Sequence, residues 1–307
     1  MSLLSLVAAL LLEQWRPLAD RRYLYLLLAR LATLLERSFN AGETRQGAIA
    51  WLLAVLPAVL VAWFVYAAAY GASPLLALML NIAALYLTMG FRQRSHYFTD
   101  IHLALKNDDL EKARSILSVW REMDCSGLDH GAIVRLTIEE ALVSSHRYVF
   151  AVIFWFVLLP GPTGAILYRL SMFLDGRWGT KTSPELERFG RFARQAFAAL
   201  NWLPVRCTAA AFAVVGDFED AVYCWRTQAA DWPDPELGIV LASGAGAIGV
   251  RLGMSIVGNG GVVDRPDLGL GDPADTAHLD STIGLVWRAL VVWLLLLLLI
   301  ALPGVSS

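Results

Sequence analysis

The chain has 307 residues, of which 57% are hydrophobic and 17% charged, with a formal net charge of −2. Soluble domains are about a quarter charged and about half apolar, so an apolar surplus gathered in long runs places this chain in a lipid bilayer. The balanced charge leaves no broad basic field and argues against a nucleic-acid partner. Cys125, Cys207 and Cys224 are scattered, with no Cys-x-x-Cys pair and no histidine at ligand spacing, so they read as packing residues rather than a disulfide framework or metal site.

Residues 1–46 read as an N-terminal amphipathic helical region. Residues 1–12 are apolar but too few to span a membrane, and they lack the basic start and small-residue cleavage site of a signal peptide. Residues 23–35 carry apolar side chains at helical spacing among Arg21, Arg22, Arg30 and Arg37. Their polar face is not uniformly basic, which favours packing on the protein over lying on lipid. Residues 47–91 read as a transmembrane hairpin. The uncharged run 47–70 is long enough to span and should kink at Pro57; Ala72-Ser73-Pro74 turns the chain, and 75–90 returns it. The flanking stretches 13–46 and 91–147 are rich in Arg and Lys, so the positive-inside rule puts them in the cytoplasm.

Residues 92–147 read as a helical cytoplasmic insert, with an N-cap candidate in Asn107-Asp108-Asp109 and a break at 124–127. Residues 148–215 read as broken or re-entrant membrane helices. The apolar stretch 148–170 is interrupted by Pro160-Gly161-Pro162, whose freed backbone groups hydrocarbon cannot satisfy, so residues 160–164 should lie at an internal site. Re-entry also keeps the basic loop 171–195 inside. A second break is expected at Leu203-Pro204. Residues 216–282 read as a polar, then Gly/Ala-rich helical region that permits close packing, with a turn at Gly258-Asn259-Gly260-Gly261. Residues 283–307 hold a final spanning helix, with Arg288 near one end where it can snorkel.

Asn201 and Arg206 are the polar residues of an apolar run. Intramembrane ionisable groups are costly and usually paired, so Arg206 is a functional candidate, with Glu139 or Asp175 as its structural partner in the plainer reading. An arginine facing a cavity suits a phosphate or carboxylate. Glu139 could serve it or a metal, although a Glu-Glu pair more often faces water. His96 and His102 do not share a helical face, and no metal motif, P-loop or nucleophile–histidine–acid grouping is visible.

The motif order from Ser95 onward resembles the CobD/CbiB family of cobalamin-biosynthesis membrane proteins and its relative AmpE. It is carried by Asp109-Leu110, Ala113-Arg114, Asp124-Cys125, Leu128-Asp129, Arg135 and Glu139, and then by Pro162, Gly164-Ala165, Tyr168-Arg169, Leu174-Asp175 and Phe189-Gly190. Asn201, Pro204, Arg206, Pro235-Glu236 and the run from Ala247 through Gly253 to Leu268-Gly269 complete it. Leu11-Leu12-Glu13-Gln14 and the run from Leu200 to Arg206 look more like AmpE. The resemblance implies an all-α polytopic integral membrane protein of the bacterial inner membrane. Its implied ligand-binding residues are Asp124, Arg135, Glu139, Tyr168, Asp175, Asn201, Arg206 and Glu236.

For a synthase the resemblance implies ATP-dependent amide ligation of an aminopropanol (phosphate) arm to a corrinoid carboxylate, with ATP and Mg²⁺. For an AmpE-like member it implies a binding or sensing role, with a cell-wall-derived small molecule in place of the corrinoid. The bilayer is a partner in both, and a homo-oligomer is compatible with either. Where the synthases carry acidic residues this chain reads Leu142-Val143-Ser144, Arg147-Tyr148 and Phe197-Ala198, and the N-terminal Gly-Asp-Pro…His-Pro segment is missing. The expectation is therefore an accessory member with an altered ligase site.

Overall fold

A computed structural model of the chain describes residues 2–15, 22–40, 42–179, 184–258 and 261–301. It is an all-α polytopic membrane protein. In chain order the first helices are α1 (Ser2–Trp15), α2 (Arg22–Phe39), α3 (Thr44–Ala72), α4 (Pro74–Thr88), α5 (Phe91–Lys106), α6 (Leu110–Arg121) and α7 (His130–Ser145). A π-turn (His146–Phe150) joins α7 to α8 (Ala151–Leu158), and α9 (Thr163–Leu174) runs into a second π-turn (Asp175–Gly179). Then come α10 (Pro184–Val215), α11 (Phe218–Gln228) and α12 (Pro235–Ile248). Short strands β1 (Val250–Gly253), β2 (Ile256–Gly258), β3 (Gly261–Val263), β4 (Asp267–Leu268) and β5 (Asp272–Pro273) precede α13 (Thr276–Ala301).

Among the described residues, four stretches are long and apolar enough to cross a bilayer: Thr44–Ala72, His130–Leu158, Leu186–Val215 and Thr276–Ile300. Their surroundings differ. Only 22% of the apolar window is buried inside the protein in α3 and in α13, against 61% in the stretch through α7 and α8. The first two therefore turn most of their surface to lipid, and the third is covered by protein. That third stretch begins within the segment expected to be a polar insert. The second arm of the expected hairpin, α4, has 15 residues. At 1.5 Å per residue it is about 22 Å long, short of the ~30 Å hydrocarbon core.

The break at Pro160-Gly161-Pro162 is present between α8 and α9. Thr163 Oγ1 donates to the Pro160 carbonyl at 2.7 Å. Gly161 takes φ +62° beneath the Tyr66 ring, which a Cβ there would strike. Pro160 is exposed, while Pro162, Thr163 and Gly164 are buried. The break expected at Pro204 is absent, because α10 runs through that proline without interruption. Proline removes the donor that the carbonyl four residues earlier would use. Trp155 replaces it: its indole Nε1–H donates to the Leu200 carbonyl at 3.1 Å.

The chain forms two compact units, Met1–Gly90 with Ala151–Leu203, and Phe91–Phe150 with Pro204–Ser307. The first unit's core joins α2, α3, the end of α9 with its π-turn, and the start of α10 through Trp51, Leu174, Trp178, Phe189 and Ala193. Trp178 and Phe189 meet edge to face at 5.2 Å. The second unit packs α11 on α12 and α7 on both α12 and α13.

Residues 250–273, expected to continue a Gly/Ala-rich helix, instead form short strands. Gly249 ends α12 in the left-handed conformation, φ +66°. β1 then pairs antiparallel with β4 and parallel with β5, and β2 pairs with β3. Of the turn expected at Gly258-Asn259-Gly260-Gly261, Asn259 and Gly260 lie outside the described residues.

Candidate functional site

In the second unit α7 places Arg135 and Glu139 four residues apart, hence on one helical face. Glu139 is only 2% exposed. Its Oε2 accepts from Arg265 Nη1 at 2.8 Å and from Arg121 Nη1 at 3.2 Å. Its Oε1 accepts from Arg265 Nη2 at 2.9 Å and from the Gly253 N–H at 3.1 Å. Four donors fill the carboxylate's acceptor positions, so Glu139 serves Arg265 and Arg121 rather than Arg206 or a metal. A buried carboxylate needs such neutralisation, and a bidentate arginine supplies it with the most geometric definition.

Arg265 also holds backbone. Its Nη2 donates to the Gly253 carbonyl at 2.8 Å and its Nε to the Met254 carbonyl at 3.2 Å. Its guanidinium lies 5.3 Å from the centroid of Trp232. The turn it grips is strained: Gly253 has φ +72° and Met254, a residue with a Cβ, has φ +61°. The Met254 N–H donates to Pro266 O at 3.3 Å, which closes the turn from the other strand.

Arg135 faces the same turn. Its Nη1 approaches Met254 Sδ at 3.7 Å, a weak acceptor for a cation. Its Nε is buried with no hydrogen-bond partner among the described residues. Beside a saturated carboxylate stands an arginine with unspent donor capacity, which suits a phosphate or carboxylate group.

The other sequence candidates are dispersed. Asp124 sits in the exposed turn after α6, where its Oδ1 accepts from the Ser126 N–H at 2.9 Å and from Ser126 Oγ at 2.7 Å. Glu236, half-buried, stands in the first turn of α12, and its N–H donates to the Asp234 cap at 3.1 Å. Arg206 is half-buried on α10 in the second unit, whereas Asn201 belongs to the first. There Tyr168 Oη donates to Asn201 Oδ1 at 3.0 Å, with both side chains buried. Asp175 opens the second π-turn, where a Cβ on Gly179 would run into its carboxylate.

Arg121, Arg265 and Gly253 were missed as site residues. The available signal was slight, an arginine beside Pro266 in a Gly-rich stretch. No group of three His, Cys, Asp or Glu side chains able to hold a metal occurs among the described residues. The thiols outside the spans are shielded: burial pushes Cys125 up, and burial with the nearby Asp220 charge pushes Cys224 up to about 11.

The family described as CobD/Cbib protein matches residues 6–286. A Stutzerimonas stutzeri protein named "Cobalamin biosynthesis protein CobD" is 37% identical over 299 residues, 96% of this chain and 96% of its own. A Chromobacterium violaceum protein of the same name is 37% identical over 248 residues, 81% of this chain and 77% of its own. A Leptospira interrogans protein, also of that name, is 26% identical over 262 residues, 83% and 82% of the two chains. No solved structure matches.

Proposed function

The chain belongs to the CobD/CbiB family, and on that premise we propose that it is a cobalamin-biosynthesis synthase of the inner membrane. It joins an aminopropanol (phosphate) arm to a corrinoid carboxylate by ATP-dependent amide ligation. In such a ligation a carboxylate oxygen takes the terminal phosphoryl group as ADP leaves. The amine nitrogen then bonds to the carbonyl carbon, phosphate departs, and the nitrogen gives up a proton.

One observation carries the assignment of this chain's residues. Arg135, with its orphaned buried Nε, lies against a turn that Glu139 and Arg265 hold rigid. Catalysis of phosphoryl transfer is mostly positioning and charge stabilisation, and a fixed turn beside a guanidinium whose Nε has no partner among the described residues supports both. Arg135 binds the phosphate or carboxylate oxygens of the substrates; Arg265 and Glu139 keep the Gly253–Met254 backbone in place. Mg²⁺ carried by the nucleotide would neutralise phosphate charge, and besides phosphate oxygens and water it would use one or two carboxylates; Glu139, whose acceptor positions are filled, does not fit that part. An accessory, AmpE-like role draws no support beyond this from the relatives, which carry the cobalamin name.

The test is complementation of a strain lacking its cobalamin synthase. The wild-type chain should restore cobalamin-dependent growth, and Arg135→Gln, present in the membrane at equal level, should not. Failure of the wild-type chain where a relative of the same family succeeds would return the accessory reading.

A further inference from the structure

We propose that Met254 is an oxidation site whose sulfoxide occupies Arg135 and closes that arginine to anions, so that peroxide switches the turn beside it. The inference rests on the reading of Arg135 as an anion-binding group and adds a regulation of the same residue. Met254 Sδ lies 3.7 Å from Arg135 Nη1. A thioether is a weak acceptor, so an incoming phosphate or carboxylate displaces it easily. Oxidation makes the same side chain polar, and an oxygen added to this sulfur falls within reach of the guanidinium. Hydrogen bonds to an ionised donor are roughly twice as strong as neutral ones. The sulfoxide therefore competes with an anion for the same N–H groups.

The backbone keeps the sulfur in that place. The Met254 N–H donates to the Pro266 carbonyl at 3.3 Å, and the Met254 carbonyl accepts from Arg265 Nε at 3.2 Å. The preceding Gly253 N–H is held by Glu139 Oε1 at 3.1 Å. With both neighbouring peptide groups fixed, only the flexible side chain is left to adjust to the added oxygen. Burial sets which thioethers peroxide meets. Met89 is 1% exposed, Met254 is half-buried and Met123 is 36% exposed. In the step, a sulfur lone pair attacks one peroxide oxygen. The S–O bond forms as the O–O bond breaks, and the departing hydroxide takes a proton from solvent to become water. Sulfur is oxidised by two electrons and the peroxide is reduced, with no proton drawn from the chain. The product is neutral, so Arg135 keeps its charge and pairs with it.

The test is a hydrogen peroxide titration of the purified full chain in detergent. Mass spectrometry reads the sulfoxide at each methionine and the labelling of Arg135 by phenylglyoxal. Met254 should oxidise at doses that leave Met89 intact. Arg135 should then label about tenfold more slowly, the factor that a hydrogen bond to a charged group confers. The slowing should follow the Met254 sulfoxide fraction and not that of Met123, and it should vanish in Met254→Leu, a volume-conserving change. Unchanged labelling of Arg135 after Met254 is oxidised overturns the proposal, as does equal slowing in Met254→Leu. Should that variant not fold, the dose correlation in the wild-type chain decides the matter. Inorganic pyrophosphate should protect Arg135 from the label before oxidation and need about tenfold higher concentration after it. Absence of protection before oxidation counts against the anion reading of Arg135, whereas the labelling change on oxidation reports the sulfoxide contact by itself.

Discussion

Glu139→Gln perturbs one atom's charge and tests whether the buried carboxylate organises the second unit. The glutamate is 2% exposed and accepts from Arg265 twice, from Arg121 and from the Gly253 N–H. An amide in its place points an NH₂ group either at the Arg121 and Arg265 Nη1 donors or at Arg265 Nη2 and the Gly253 N–H. It also leaves the half-buried Arg265 without its carboxylate, while Arg121 keeps Glu140 at 3.9 Å. Removing one partner from a buried, hydrogen-bonded ion pair costs about 3–5 kcal/mol. At roughly 2–4 °C per kcal/mol for a chain of this size, the melting temperature should fall on the order of 10 °C.

The assay is thermal unfolding in detergent followed by tryptophan fluorescence. Arg265→Met should cost a similar amount, because it removes the bidentate half of the clamp. The double variant should cost little more than the worse single one, since the second change removes a group that the first has already stranded. A Glu139→Gln melting temperature within about 1 °C of wild type would refute the reasoning. Strict additivity of the two single changes would refute it as well.

Trp155→Phe should destabilise by about 1–2 kcal/mol, because it strands the Leu200 carbonyl; adding Pro204→Ala, which restores the missing backbone N–H, should recover most of that loss in the same unfolding assay. Gly161→Ala should cost about 1–3 kcal/mol, combining a left-handed φ with a collision at the Tyr66 ring, and a melting curve reads it directly. Cys224, held at about 11, should be about one thousandth thiolate at pH 8. Its alkylation, followed by mass spectrometry, should be slow in the folded chain, faster as the pH is raised towards that value, and complete after unfolding. Arg135→Gln should abolish complementation while shifting the melting temperature by about 2 °C at most, because among the described residues the side chain's only close acceptor is a thioether.

Features that depend on local chemistry were legible in the sequence. An uncharged run such as α3 or α13 needs no partner to be recognised, and Pro160-Gly161-Pro162 breaks a helix by its own covalent structure. Features that depend on distant atoms were hidden. The span through α7 and α8 carries Arg135, Glu139, Glu140 and Arg147, so its composition resembles a polar insert; only its covering of protein lets those groups lie within an apolar length. The persistence of α10 through Pro204 rests on Trp155, 45 positions before the carbonyl it satisfies. The strands of residues 250–273 pair in twos and threes, too few for a period-two pattern to emerge. Glu139 was recognisable as a residue, but Arg265, 126 positions away, was not recognisable as its partner.

The same distinction bears on what the missing carboxylates say about the site. Acidic residues were sought at Leu142-Val143-Ser144 and Phe197-Ala198, and their absence was read as an altered ligase site. In this chain Leu142 is buried against Gly244, with its Cδ1 at 2.7 Å from where a Cβ on that glycine would stand. Phe197 is buried with its ring 5.6 Å from that of Tyr168. Both positions are spent on packing, and a carboxylate in either would need a new buried partner. Their composition records how the two cores are filled. A reaction whose substrates carry carboxylate and phosphate makes its first electrostatic demand on cations, with Mg²⁺ supplied alongside the nucleotide. On the proposed ligase reading, the groups to test are therefore the donors around Arg135 and the turn beside it, rather than acids in the membrane helices.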